Sequence, residues 1–147
     1  MYTPKHFSWY ELVPSKDYKQ YWLWLIDERI LRTIDEMREH YGKPIIINDW
    51  YWGGKFSLRG LRPFNSGVGA KFSQHCYGRA VDLDVKGVSA EKVRNDIRSG
   101  LFPEITCIET GVSWVHLDVR NAKRLSVQNA IALLKSTKNI STVNLYA

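Results

Sequence analysis

The segment Ser73-Gln74-His75-Cys76-Tyr77-Gly78-Arg79-Ala80-Val81-Asp82-Leu83-Asp84, with Trp114-Val115-His116-Leu117-Asp118 well downstream, concentrates the residues of this chain that could do chemistry. His75 and Asp82 stand seven apart, and His116 lies on a second alternating stretch, so two imidazoles and a carboxylate are on offer as metal ligands. Three protein ligands with a fourth position open is the arrangement of a catalytic zinc, whereas a structural zinc is closed by four. Both stretches alternate residue by residue. Val81, Leu83 and Val85 alternate with Ala80, Asp82 and Asp84, and Val115, Leu117 and Val119 alternate with Trp114, His116, Asp118 and Arg120. A period of two marks strands with one apolar face. Packing those faces into a core sets Asp82 and His116 on the opposite, site-bearing side.

Other elements must hold these residues in place. From Trp22 to Tyr41 the residues Ile26, Ile30, Ile34, Met37 and Tyr41 form one helical stripe with charged residues elsewhere, which predicts a helix closed by Gly42 and Pro44. Residues 44–48 read as a buried strand, and 49–65, rich in Gly and aromatics, as an irregular loop able to wall a cleft. Within it Trp50, Tyr51 and Trp52 could stack on a sugar or peptide, although packing is the commoner use of such rings. Ser89 suits the N-cap of a short helix bearing Val93, Ile97 and Leu101 and stopping near Gly100. Residues 105–114 carry a β-branched run, a Thr110-Gly111 turn and a returning strand, which predicts a hairpin. Beyond Arg120 the signals fade, with a helix expected over 127–135 and a loosely ordered tail from Thr137. The expected fold is α+β, a small, mainly antiparallel sheet with helices packed on one side and the metal site on the exposed sheet face.

The pattern Ser-x-His-x-x-Gly-x-Ala-x-Asp from Ser73 to Asp82, with the later Trp114-x-His116, resembles the zinc D-Ala-D-Ala carboxypeptidase and L-alanyl-D-glutamate endopeptidase family, whose fold is shared with the hedgehog signalling domain. The resemblance runs from about Ile45 to Arg120 and implies His75, Asp82 and His116 as zinc ligands. Arg59-Gly60-Leu61-Arg62-Pro63 is similar to the family's Ser-Gly-Tyr-Arg segment, which makes Arg62 the substrate-contacting arginine, with Arg59 competing for that role. Ser73 and Trp114 are carried over as further substrate-side residues. Many members place Asp or Glu three residues before the last histidine, where this chain has Ser113. Others, and the hedgehog domain, place a glutamate about six before it, and Glu109 stands seven before His116. Glu109, at the end of the hairpin beside the strand of His116, is the expected catalytic base, with Asp118 as its rival and Asp84 as a weaker one.

At 147 residues the chain fits one domain, and 44% hydrophobic with 24% charged residues is ordinary for a globular protein. A net charge of +6 favours contact with any polyanion, but the basic residues are scattered and no recognition motif for nucleic acid is present, so none is expected as a partner. The most apolar run, Tyr21 to Ile26, is too short for a membrane span or a signal-peptide core. Synthesis in the cytoplasm, with release to the cell wall by another factor, is therefore expected. Cys76 and Cys107 lack CxxC spacing and are expected as free thiols. The resemblance implies a zinc peptidase, monomeric, that hydrolyses peptidoglycan stem peptides as a phage or prophage lysis enzyme. It leaves open carboxypeptidase or endopeptidase action, and a zinc module of the same fold without catalysis is the alternative.

Overall fold

The fold is taken from a computed structural model that describes residues 1–122 and 125–129. The helical stripe begins not at Trp22 but after a break. A single-turn helix α1 (Trp22–Leu25) ends at Ile26, whose backbone is extended, and α2 (Glu28–Tyr41) starts anew on Asp27. The expectation of one continuous helix is thus corrected. Aspartate favours an N-cap over a helix interior because its side chain satisfies a free backbone donor, and here it accepts the N–H of Arg29 at 3.0 Å. The break is also held from outside, since the N–H of Asp27 donates to the carbonyl of Gly78 at 2.9 Å. Gly42, in the left-handed conformation at φ 58°, ends α2 as expected.

Next come β1 (Ile45–Ile46), β2 (Ala80–Val85), α3 (Ala90–Arg98), β3 (Cys107–Thr110), β4 (Val115–Asp118) and β5 (Ser126–Asn129), with the sheet order β1-β2-β4-β3-β5. Adjacent pairs are antiparallel except β3 with β5, which run parallel. The expected buried strand over 44–48 shrinks to two paired residues, of which Ile46 is exposed, while Ile47 and Asn48 are buried and Asn48 bonds the N-terminal segment. Ser89 caps α3 by accepting the N–H of Lys92, and β3 and β4 form the expected hairpin. Leu101 lies past the helix and is exposed, and Phe102 is buried in its stead. Where a helix was expected from Val127, β5 occupies the open edge of β3, because an unpaired strand edge supplies a backbone ladder that weak local helix propensity cannot match. The rest of that expected helix and the tail lie outside the described residues.

Apolar residues of α2 (Ile30, Leu31, Ile34, Met37) and α3 (Val93, Ile97) meet Val81, Leu83, Val115 and Leu117 of the sheet in one core. The other face of β2 and β4 is not left open. The N-terminal segment buries Leu12 and Val13, and their carbonyls accept the N–H of Leu61 at 2.8 Å, Asn48 Nδ2 at 3.1 Å and Trp50 Nε1 at 2.8 Å. Residues 48–61 are thereby strapped near the sheet, and the N–H of Asp82 itself donates to the carbonyl of Arg59 at 2.7 Å. A site on an exposed sheet face is the second expectation corrected. Loop residues cover it.

Candidate metal centre

Asp82 and His116 are direct cross-strand partners in the β2–β4 register, so their side chains leave the same face at the closest approach two strands allow. His75 arrives from a 3-10 turn, Gln74–Tyr77, which ends on Gly78 at φ 67°. Gly78 is required there twice over: its conformation is left-handed, and a Cβ would collide with the carbonyl of Leu25. The same close approach places the helix break at Ile26 and Asp27 against the ligand-bearing turn.

One ligand atom from each of His75, Asp82 and His116 lies within 4.8 Å of the others, and the three residues are only 1%, 6% and 5% exposed. His116 Nδ1 is 2.7 Å from Asp82 Oδ1 and 3.2 Å from His75 Nε2, and His75 Nε2 is 3.3 Å from the same carboxylate oxygen. Proton positions follow from the outer partners. The carbonyl of Gly60, 2.8 Å from His75 Nδ1, can only accept, so Nδ1 carries hydrogen and Nε2 turns a lone pair inward. On the far side of His116, Nε2 faces Asp118 Oδ2 at 3.2 Å, which leaves Nδ1 inward.

The electrostatics agree with a cation-binding trio. Burial opposes ionisation of Asp82, but the facing imidazoles and their hydrogen bonds outweigh it and hold the carboxyl well below its usual range. Burial lowers His75, with Asp82 offsetting only part of the effect. Burial would lower His116 too, yet the hydrogen bonds its ring donates to Asp118 and Asp82 lift it to about 9. So raised, His116 carries hydrogen on both nitrogens and donates Nδ1–H to Asp82 Oδ1, and a cation taking the place of that proton would meet two inward nitrogens and an anionic oxygen. Two nitrogens and one oxygen in a buried, closely spaced set suit zinc. These residues fit the metal.

Other expected site residues take definite places. Ile108 is wholly buried in the core, so Glu109, the next residue of β3, alternates to the other face, and its charge acts on the His116 ring. Ser113 is exposed in the turn. Arg62 donates to Asp82 Oδ2 at 2.6 Å and to the carbonyl of Leu58 at 2.5 Å, whereas Arg59 pairs with Asp84 at 2.5 Å and stacks on Phe56. Of the two, Arg62 is the one brought to the trio. It also lines a cleft of about 360 Å³ with Tyr18, Leu25, Pro63, Phe64 and Cys76, so the cleft adjoins the metal ligands through Arg62 and through the neighbour of His75. Ser73 begins the His75 turn, its carbonyl accepting the N–H of Cys76. Trp114 is half-buried, and Arg94 donates to its carbonyl and to that of Val112, bracing the hairpin turn. Tyr51 stacks on Tyr10 at 4.1 Å and Trp52 meets it edge-on, while both rings keep exposed surface. Cys76 and Cys107 are free, as expected.

Sequence reasoning missed the carbonyl of Gly60, which orients His75, and Arg120, which grips Asp118. For Arg120 a signal existed, since His116, Asp118 and Arg120 share one strand face by period two. Nothing local marks a glycine carbonyl as a histidine partner.

No curated protein and no solved structure matches the chain. The Peptidase M15 family matches it over residues 15–118, a stretch that takes in Arg62, all three candidate ligands, Glu109 and the elements that carry them. With a buried His-Asp-His trio at its centre, the chain belongs to the Peptidase M15 family of metal-dependent peptidases.

Proposed function

We propose that this chain is a zinc peptidase that hydrolyses peptide bonds in peptidoglycan stem peptides, and that it serves a phage or prophage in lysing the cell wall. The observation that carries the reading is the convergence of His75, Asp82 and His116 beside a cleft lined by Arg62, with Glu109 on the strand next to that of His116. When bound, zinc supplies Lewis acidity toward the scissile carbonyl and the attacking water. Glu109 takes the proton of that water and delivers it to the leaving amine. Arg62, which lines the cleft and is held at the trio by its bond to Asp82, would hold a substrate carboxylate or the developing oxyanion. Ser73 and Trp114, at the edges of the ligand turn and strand, flank the bound peptide.

A zinc module without catalysis rests on Ser113 at the position where many relatives carry a carboxylate. Glu109 on β3, the strand beside that of His116, supports the enzyme reading. Among the described residues no helix is long and apolar enough to cross a membrane, and release by another factor would bring this enzyme to the wall. Digestion of purified peptidoglycan followed by mass spectrometry tests the reading. New amino termini within stem peptides are expected, and their position names the bond. Intact stem peptides after digestion with zinc-replete protein would refute it.

A further inference from the structure

Asp118 was the rival for the catalytic base, and its surroundings assign it different work. Its side chain is wholly buried on β4, two residues from His116 on the same strand face. Oδ1 accepts the backbone N–H of Arg120 at 3.1 Å and its Nε at 2.8 Å, and Oδ2 accepts Nε at 3.0 Å together with Nη2. Its remaining contact is with His116 Nε2 at 3.2 Å, across the ring from the nitrogen that faces Asp82 and His75. A carboxylate placed behind the imidazole and enclosed by a guanidinium cannot reach a water at the inward nitrogen. It can accept the Nε2 hydrogen.

The strand pairing makes this arrangement rigid. Cys107 of β3 is the cross-strand partner of Asp118, Thr106 N–H donates to the carbonyl of Asp118 at 2.9 Å, and Thr106 Oγ1 donates to the carbonyl of Arg120 at 2.6 Å. Both ends of the Asp118–Arg120 couple are thus tied to the neighbouring strand. Partners of this kind behind a metal-ligating histidine fix its tautomer and raise its basicity.

We propose that Asp118, held by Arg120, is a positioning residue that locks His116 with hydrogen on Nε2, so that Nδ1 is the atom given to the metal. The inference rests on the metal-centre reading above but concerns how tightly and through which nitrogen the ion is held, not which bond is cleaved. Zinc affinity is measured by competition with a chromophoric chelator in wild type, Asp118→Asn and Arg120→Gln, with the melting temperature of each chelated protein as a check on folding. Nitrogen-15 NMR of histidine-labelled, zinc-loaded wild type reads the tautomer without any substitution. The expected results are a fall in zinc affinity of about 10–100-fold in Asp118→Asn, a smaller fall in Arg120→Gln, and a protonated Nε2 with a metal-bound Nδ1 at His116. Wild-type affinity in both folded variants, or a His116 that binds through Nε2, would overturn the proposal while leaving the metal centre standing. Wild-type protein that takes up no zinc would overturn both.

Discussion

At the scale of single residues, each candidate ligand is aimed by a different partner: His75 by the carbonyl of Gly60, Asp82 by Arg62, and His116 by the strand register that sets it against Asp82. Losing any one ligand leaves two, too few to hold the ion. Purified protein is expected to carry about one zinc per molecule, and His75→Ala, Asp82→Ala and His116→Ala should each abolish it. Elemental analysis checks this, and full retention in all three would remove the site. Arg62 and Arg59 separate on the same logic. Arg62→Ala should lower turnover on wall peptide substantially, whereas Arg59→Ala, whose partner is the half-exposed Asp84, should be mild. The reverse order of effects on initial rates would move the substrate contact to Arg59.

At the scale of elements, the helix break and the ligand turn form one unit, joined by the Asp27 N–H on the carbonyl of Gly78 and by the close approach of Gly78 to Leu25. Gly78→Ala should therefore destabilise the protein by at least about 1–3 kcal/mol, the usual cost of overpacking, with left-handed strain added. It should weaken zinc binding as well, because His75 sits on the displaced turn. Urea denaturation and a metal titration measure the two effects. Asp27→Ala removes the α2 cap and should cost about 0.5–2 kcal/mol. Hydrogen bonds donated by Arg29 depress the folded value of Asp27 and outweigh the burial that opposes its ionisation. The cap's electrostatic share is thus complete above the unfolded value of about 4 and is lost as pH falls through the folded one. A denaturation series in which Asp27→Ala and wild type differ equally at neutral and strongly acid pH would contradict it. The same elements show what could be read from sequence. The strands of Asp82 and His116, the hairpin of Glu109 and the Ser89 cap were legible because alternation, turn chemistry and capping are local. The break at Ile26, the change of residues 127–129 from helix to strand and the burial of the site were not, since Gly78, the open edge of β3 and the strap of Leu12 and Val13 are distant in sequence from what they control.

At the scale of the whole molecule, an ion held by the trio would join β2, β4 and the turn of His75, so that binding it and folding the chain would be linked. Free zinc at 100 times Kd should stabilise the protein by ~2.7 kcal/mol, and the melting temperature should fall on chelation in wild type but not in His75→Ala. Equal melting temperatures with and without chelator would mean that the trio binds no ion of consequence to the fold. Whether the metal trio works with Glu109 in a peptidase is decided by one rate comparison on isolated stem peptide at matched zinc content. Wild type should cleave, stop on chelation and recover on zinc return, while Glu109→Gln, folded and zinc-loaded, should be slower by about 10²–10⁴-fold. Cleavage indifferent to chelator, or Glu109→Gln as fast as wild type, would contradict it.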